Sequence, residues 1–253
     1  MPARLRRRPR WPLAAAVAGV LGVAAAWVVC RPVLPPAARG ARVAFRLGCP
    51  ACHGPGGTGG VPNPGSEDGE VPGWTGGTPM MFVKGEAEWA EWILDGAPRR
   101  ERAEPRPPGL LQMPAYRGFL TDAELTNLIA YLKAVSGMAR PAGGPPARGF
   151  AAASRLGCFG CHGPGGRTGS RNPRSLKGVI PPWEGSDFGD LVRDDAELRG
   201  WILDGGIPRL AGNPLARFFT GRQRIAMPAY RDVIKAGELE VLTAYLHWLR
   251  RPH

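Results

Sequence analysis

The sequence predicts an all-α protein in which two tandem helical domains follow one N-terminal transmembrane helix. Two segments of domain size carry the same motifs in the same order, 109 residues apart along most of their length. No run of residues has the alternating apolar and polar pattern of a strand. The third observation is an uncharged run of 18 residues near the N-terminus, which is long enough to be a membrane-spanning helix.

The N-terminal segment has the pattern of a membrane anchor. Residues 1–12 are basic, and residues 13–30 would form an uncharged helix about 27 Å long at ~1.5 Å per residue. Arginines before such a helix keep the N-terminus in the cytoplasm, so we expect the domains in the periplasm or extracytoplasmic space of a bacterium. A cleaved signal peptide is the alternative, because Ala24, Ala25 and Ala26 suit a cleavage site.

The remaining chain divides at two proline-rich segments. Residues 31–37 are expected to form a stiff spacer, residues 38–140 the first domain, residues 141–146 a linker and residues 147–253 the second domain. The chain has 37 glycines and 28 prolines, a composition that predicts many loops. A large apolar cofactor would give such loop-rich domains a core.

Each predicted domain contains, near its N-terminal end, the sequence Cys-x-x-Cys-His, which is called the attachment motif below. Two thiols at this spacing can each add to one vinyl group of the same porphyrin, and the following histidine can then supply a nitrogen ligand to the iron. The motif therefore predicts two covalently attached haem c groups. The residues are Cys49, Cys52 and His53 in the first domain, and Cys158, Cys161 and His162 in the second.

Other uses of paired cysteines explain the sequence less well. A thioredoxin-like redox pair lies near a βαβ pattern, which is not seen here. A zinc site needs four ligands, and pooling both pairs would leave the repeat unexplained. Disulfides would leave both histidines unexplained. The fifth cysteine, Cys30, ends the apolar run, and an inert thiol fits there better than a lipid-modified one because Trp27, Val28 and Val29 before it are not small.

The ligand at the sixth coordination position of each iron distinguishes an electron carrier from an enzyme. Met113 and Met227 stand in the same Met-Pro-Ala-Tyr-Arg sequence, 60 and 65 residues after the motif histidines. A buried methionine is often only a filler of the core. The duplicated context nevertheless predicts that both ligate iron. Trp74 and Trp183 also correspond in the repeat, and we expect them to contact the cofactors.

The order of these features resembles class I cytochrome c, twice over. An alanine-rich helix leads to Cys-x-x-Cys-His-Gly, then to loops, a short helix, Met-Pro and a final amphipathic helix, and this order covers about residues 38–138 and 147–250. The resemblance implies a small all-α fold around each haem, with one haem edge exposed. It also implies a proline carbonyl that accepts the proximal histidine N–H, and Pro64 and Pro173 are the expected residues.

The expected function is electron transfer between redox partner proteins, with no small-molecule substrate. The layout also resembles the di-haem subunits of terminal oxidases and of periplasmic dehydrogenases. A di-haem enzyme of the peroxidase or sulfur-compound dehydrogenase type is the alternative, and it would have one open or non-methionine haem site. Six-coordinate iron with histidine and methionine ligands favours the carrier.

Charge distinguishes the two domains. Residues 32–140 carry eleven basic and eleven acidic side chains, whereas residues 141–253 carry sixteen and ten. An exported haem protein would rarely meet nucleic acid, so the basic second domain is expected to attract an acidic partner or anionic lipid, or simply to be a solvated face. The candidate docking residues surround Met227, and they are Arg217, Arg222, Arg224 and Arg231.

Overall fold

The structure, a computed structural model, describes residues 11–102 and 109–251 and is mostly helical, as predicted. Residues 1–10 of the predicted basic segment lie outside the described residues. The helices are α1 (Trp11–Cys30), α2 (Pro36–Arg46), α3 (Cys49–His53), α4 (Pro79–Phe82), α5 (Glu86–Asp95), α6 (Arg99–Arg102), α7 (Asp122–Val135), α8 (Gly144–Arg155), α9 (Cys158–His162), α10 (Ser186–Leu191), α11 (Asp195–Asp204), α12 (Pro208–Ala211), α13 (Pro214–Thr220) and α14 (Glu238–Arg250).

Two short antiparallel ladders interrupt the helices. They pair β1 (Val61–Pro62) with β2 (Glu70–Val71) and β3 (Ser170–Arg171) with β4 (Val179–Ile180). Each strand has two residues, which is too short to give a periodic pattern in the sequence. The ladders close hairpin loops between the attachment motifs and the buried tryptophans.

The helical part after α1 forms two units, defined here as the first unit (residues 36–136) and the second unit (residues 144–250). In each unit the first and last helices cross, α2 against α7 and α8 against α14. Both crossings depend on a glycine. A Cβ atom on Gly40 would lie 1.9 Å from the carbonyl oxygen of Asn127, and one on Gly149 would lie 1.9 Å from that of Val241.

Helix α7 begins with a capping box. Glu124 N–H donates to the Thr121 hydroxyl at 3.2 Å, and Thr121 N–H donates to the Glu124 carboxylate at 3.0 Å. Arg46 of α2 also donates to this carboxylate, at 2.7 Å. Arg155 and Glu238 form the corresponding pair in the second unit, so the same ion pair joins the crossing helices twice.

Each unit has its own hydrophobic core. In the first unit it lies between the crossing helices and α5, and it includes Trp74, Trp89 and Leu128. In the second unit it includes Trp183 and Tyr245, and Tyr245 is completely buried. The two cores belong to separate clusters of buried residues.

Residues near the predicted spacer and linker connect the units. The Val33 N–H donates to the buried Asp187 carboxylate at 2.9 Å, and Arg167 donates to the carbonyl of Ala139 at 3.3 Å. Helices α2 and α8 begin at Pro36 and Gly144, slightly before the predicted domain boundaries. Proline is compatible with a first helical turn, so the ends of both proline-rich segments are helical.

Helix α1 covers the uncharged run predicted as an anchor. Its residues 15–30 are exposed. Within the described part of the chain, no helix combines the length and the apolar character needed to cross a membrane. The anchor over residues 13–30 stays a prediction.

Candidate functional site

The attachment motifs form one-turn helices, α3 and α9, in which the two cysteines are three residues apart and share one face. Gly48 and Gly157 precede them with φ of 73° and 74°, a left-handed conformation that a residue without Cβ adopts readily. All five cysteines in the described residues are free, and those of the motifs are half-buried. Burial raises the pKa of the Cys49 and Cys158 thiols.

The two motif histidines are held alike, by a proline carbonyl from the far side of the hairpin loop. His53 Nδ1 lies 2.7 Å from the carbonyl oxygen of Pro72, and His162 Nδ1 lies 3.0 Å from that of Pro181. An Nδ1–H that donates to this carbonyl leaves Nε2 as the nitrogen available to iron. Burial lowers the pKa of both imidazoles, which favours the neutral form that binds metals.

The expectation for Pro64 and Pro173 is therefore wrong. Their carbonyl oxygens accept hydrogen bonds from the backbone N–H groups of Leu110 and Arg224, both at 3.2 Å. The hairpins place Pro64 and Pro173 in the turns that join their two strands. The chain returns to the imidazole only 19 residues after it, in both units.

The predicted tryptophans lie directly beside the histidines. The ring centroids of His53 and Trp74 are 4.8 Å apart, and those of His162 and Trp183 are 4.9 Å apart. The approach requires glycine, since a Cβ on Gly57 would lie 2.3 Å from the Trp74 ring. Both indoles are buried and pack against the imidazole rings. Their contact with a cofactor stays a prediction.

The two candidate methionine ligands are the methionines that pack against the cores. Met113 and Met227 are half-buried and contact the cores of the first and second units. Met80, Met81 and Met138 are exposed. Burial thus separates the two paired methionines from these three, as the repeat predicts.

An asparagine clamp, missed in the sequence analysis, holds the chain before each methionine. Asn63 Nδ2 donates to the carbonyl of Leu111 at 3.1 Å, and its Oδ1 accepts from Leu111 N–H at 2.8 Å. Asn172 makes the same two bonds with Ile225, at 2.9 and 3.0 Å. Both asparagines are buried. Each clamp ends two residues before the methionine, and the duplicated Asn-Pro pair was the signal that could have revealed it.

A second set of bonds holds the chain after each methionine. The N–H groups of Tyr116 and Tyr230 donate to the carbonyls of Ile93 and Ile202, at 3.0 and 3.1 Å. The next arginine then pairs with the aspartate that ends α5 or α11, Arg117 with Asp95 and Arg231 with Asp204, both at 3.0 Å through Nε. Each methionine is thus fixed from both sides.

These residues fit a covalent haem c in each unit. Two free thiols share one face of a turn, a neutral imidazole is oriented by its Nδ1–H, and a thioether is held on a clamped loop. Thiol, imidazole and thioether are the ligand types of c-type haem. Elsewhere in the described ranges, no three histidine, cysteine or acidic side chains gather in a way that would hold a metal ion.

Comparison with known proteins identifies the first unit. The family model of cytochrome c matches residues 37–136, which contain Cys49, Cys52, His53 and Met113. Searches of curated proteins and of solved structures gave no match. The chain therefore contains a cytochrome c domain, which implies covalently bound haem c and electron transfer by a haem protein.

Proposed function

We propose that the chain is a membrane-anchored di-haem c-type cytochrome that carries electrons between respiratory or dehydrogenase partners on the outer face of the cytoplasmic membrane. It would work alone or as a subunit of a terminal oxidase or dehydrogenase complex. The cytochrome c domain of the first unit is the basis. The single observation that extends the proposal to the second unit is the repeated geometry of the site.

The contacts that position the candidate iron ligands of the first unit are found again in the second unit. The histidine to proline bond, the tryptophan beside the imidazole and the asparagine clamp all recur in the second unit. These contacts join residues far apart in sequence, so a shared motif alone would not produce them. The duplication supports a second haem on Cys158, Cys161, His162 and Met227.

The residues of the site suit outer-sphere electron transfer. A bound haem c supplies one-electron redox chemistry at its iron. His53 and Met113, like His162 and Met227, would supply the imidazole and thioether ligands of the iron, and methionine as one ligand favours a high reduction potential. The asparagine clamps restrict the loops that carry both methionines. With both ligands bound, no small-molecule substrate would reach the iron.

The proposed membrane anchor rests on the sequence and on the exposed side chains of α1. No described helix meets the requirements for a span, so the proposal depends on the arginines before residues 13–30 and on exposed side chains of α1 such as Val20, Leu21 and Val23. We expect the cytochrome to stay with membranes during carbonate washing. Release of the chain, with a mature N-terminus near Trp27, would indicate a cleaved signal peptide instead.

The proposed haem content is tested by counting haems in cysteine variants. The wild-type chain should contain two haems, and replacing either Cys49 and Cys52 or Cys158 and Cys161 with alanine should remove about half of the covalent haem. Haem staining after denaturing electrophoresis measures this loss. Undiminished staining in either variant would contradict the assignment of that unit.

Carbon monoxide binding then separates the carrier from the enzyme. The fully reduced wild-type protein should bind carbon monoxide slowly or not at all, because methionine fills each sixth position. A di-haem enzyme with an open site would bind it rapidly at one haem. Rapid binding to the intact protein would therefore favour the enzyme over the carrier.

A further inference from the structure

The second unit contains an insertion that has no counterpart of equal length in the first unit. The spacing between the paired motifs grows from 109 to 114 residues within the loop over residues 205–226. This loop contains α12 and α13. Between residues 205 and 231 the chain has five arginines and no acidic residue.

Helix α13 is ordered by its own cap and packs little against the rest of the unit. Asn213 Oδ1 accepts hydrogen bonds from the N–H groups of Leu215 and Ala216 at 2.9 and 3.1 Å, which stabilises the first turn. Leu215 is 64% exposed and Phe218 is 53% exposed. Since these residues are three apart, they lie on one face of the helix and form an apolar surface in solvent.

Three of the five arginines are available to a partner. Arg209 pairs with Glu197 at 2.6 Å and Arg231 pairs with Asp204, so these two cations are neutralised locally. No carboxylate among the described residues lies within ion-pair distance of Arg217, Arg222 or Arg224. The Arg222 guanidinium instead lies over the Phe218 ring, 4.9 Å from its centroid, so cationic and apolar groups form one continuous surface.

This surface leads directly to the loop that carries Met227. The Arg224 N–H is bonded to Pro173, and Ile225 is held by the Asn172 clamp two residues before the methionine. Thr220 and Met227 are seven residue steps apart, which span at most about 25 Å even when fully extended. The end of α13 therefore lies within about 25 Å of the candidate ligand of the second haem.

We propose that α13, with Arg217, Arg222 and Arg224, is the docking surface for an acidic redox protein whose contact area has an apolar centre. The inference depends on the proposed electron-transfer function of the second unit. Unpaired arginines around exposed leucine and phenylalanine match a partner with carboxylates around an apolar patch. A second copy of this chain would present the same positive charge and be repelled. A membrane is disfavoured because α13 has seven residues and offers two exposed apolar side chains, whereas interfacial helices are usually longer.

The test measures electron transfer to an acidic protein. Full-length protein in detergent is reduced and mixed with oxidised plastocyanin, a small acidic blue-copper protein, in a stopped-flow instrument. Salt is varied from about 0.01 M to about 1 M, which shortens the Debye length from ~30 Å to ~3 Å. The variants are Arg217→Glu with Arg222→Glu, and Leu215→Ser with Phe218→Ser. The matched control, Arg148→Glu with Arg251→Glu, changes the net charge equally outside the insertion.

We expect the arginine variant to slow the low-salt reaction about tenfold or more and to reduce its salt dependence, since steering contributes factors of 10 to 10³. The control should change the rate much less. The Leu215 and Phe218 variant should slow the reaction at every salt concentration, because it removes the apolar contact. Oxidation by benzoquinone, which is small and uncharged, should be the same in all four proteins.

Two results would overturn the docking surface. One is an arginine variant no slower than its control. The other is an unchanged plastocyanin rate combined with a gain of hydrogen-exchange protection over α13 in the presence of liposomes that contain phosphatidylglycerol, which would make this a lipid surface. A wild-type protein whose second haem does not react with benzoquinone would contradict the proposed function itself.

Discussion

The two units hold their candidate ligands almost identically but present different surfaces around them. The histidine to proline distances are 2.7 and 3.0 Å, and the histidine to tryptophan distances are 4.8 and 4.9 Å. At the loop before the methionine, the first unit exposes Leu110 where the second has Arg224. Contacts that position an iron ligand tolerate little change, whereas a surface that meets a partner changes with the partner.

The cores differ as well, at places away from the ligands. Trp89 in the first unit corresponds to Leu198 in the second, and both are buried. Tyr245 is fully buried and donates to the carbonyl of Gly165 at 2.8 Å, whereas its counterpart Tyr131 is only partly buried. The units therefore share the contacts around their candidate ligands but differ in their cores. Equivalent substitutions should have equal effects at the shared contacts and unequal effects in the cores.

Removing the methionines should give the largest effect and should be equal in the two units. Met113→Ala and Met227→Ala should each remove about half of the near-infrared sulfur-to-iron band of the oxidised protein, lower the potential of one haem and let carbon monoxide bind there. Near-infrared absorption and redox titration measure these changes. Met138→Ala is the control, because Met138 lies on the surface. A band that survives either ligand variant undiminished would show that the thioether of that unit is not a ligand.

The asparagine clamps should matter less, again to a similar degree in both units. Asn63→Ala and Asn172→Ala each leave a backbone N–H and carbonyl without their partners, which costs about 1–3 kcal/mol of stability. Because the loop is then freer, added imidazole should displace the methionine of that unit more easily. Titration with imidazole, followed by loss of the near-infrared band, measures this.

Asn213→Ala is the matched control for the second clamp. It removes a helix cap at a cost of about 0.5–2 kcal/mol, yet it should leave the imidazole affinity of the second haem unchanged. If Asn172→Ala and Asn213→Ala affect imidazole binding equally, the clamp acts only through general stability.

The tyrosine pair should give the smallest effect and should distinguish the units. Tyr245→Phe removes a buried hydrogen bond and should cost about 1 kcal/mol, whereas Tyr131→Phe should cost less because Tyr131 is only partly buried. Hydrogen exchange of α14 and α7 in the full-length protein measures the local loss. Equal losses in the two helices would mean that the difference in burial does not affect stability.

Much of the site could be predicted because its chemistry constrains local sequence. The thiols must be three residues apart on one turn, and the imidazole must follow them, so the motif itself identifies Cys49, Cys52 and His53. The repeat then selected Met113 and Met227, which are the methionines that pack against the cores. The capping box of Thr121 and Glu124 is equally local, because its two residues are three apart in the sequence.

The errors concerned contacts across loops. Pro64 and Pro173 were expected to accept the histidine N–H, but the length and turn of the hairpin decide which carbonyl returns to the ring, and no periodic pattern encodes that path. The pairing of Arg231 with Asp204, 27 residues earlier, was not predicted either. Such partners are adjacent only after the helices have packed.

Local sequence identifies the candidate thiols and imidazoles, because covalent haem attachment requires two cysteines and a histidine at a fixed spacing, and the repeat pairs Met113 with Met227. What holds these candidate ligands in place is visible only in the folded chain. Pro72, Pro181, Asn63 and Asn172 act through backbone atoms or amide groups brought together by the hairpins, and hydrogen bonds of this kind depend on positions to within a few tenths of an ångström. Local sequence specifies the chemical groups, and long-range folding specifies their geometry.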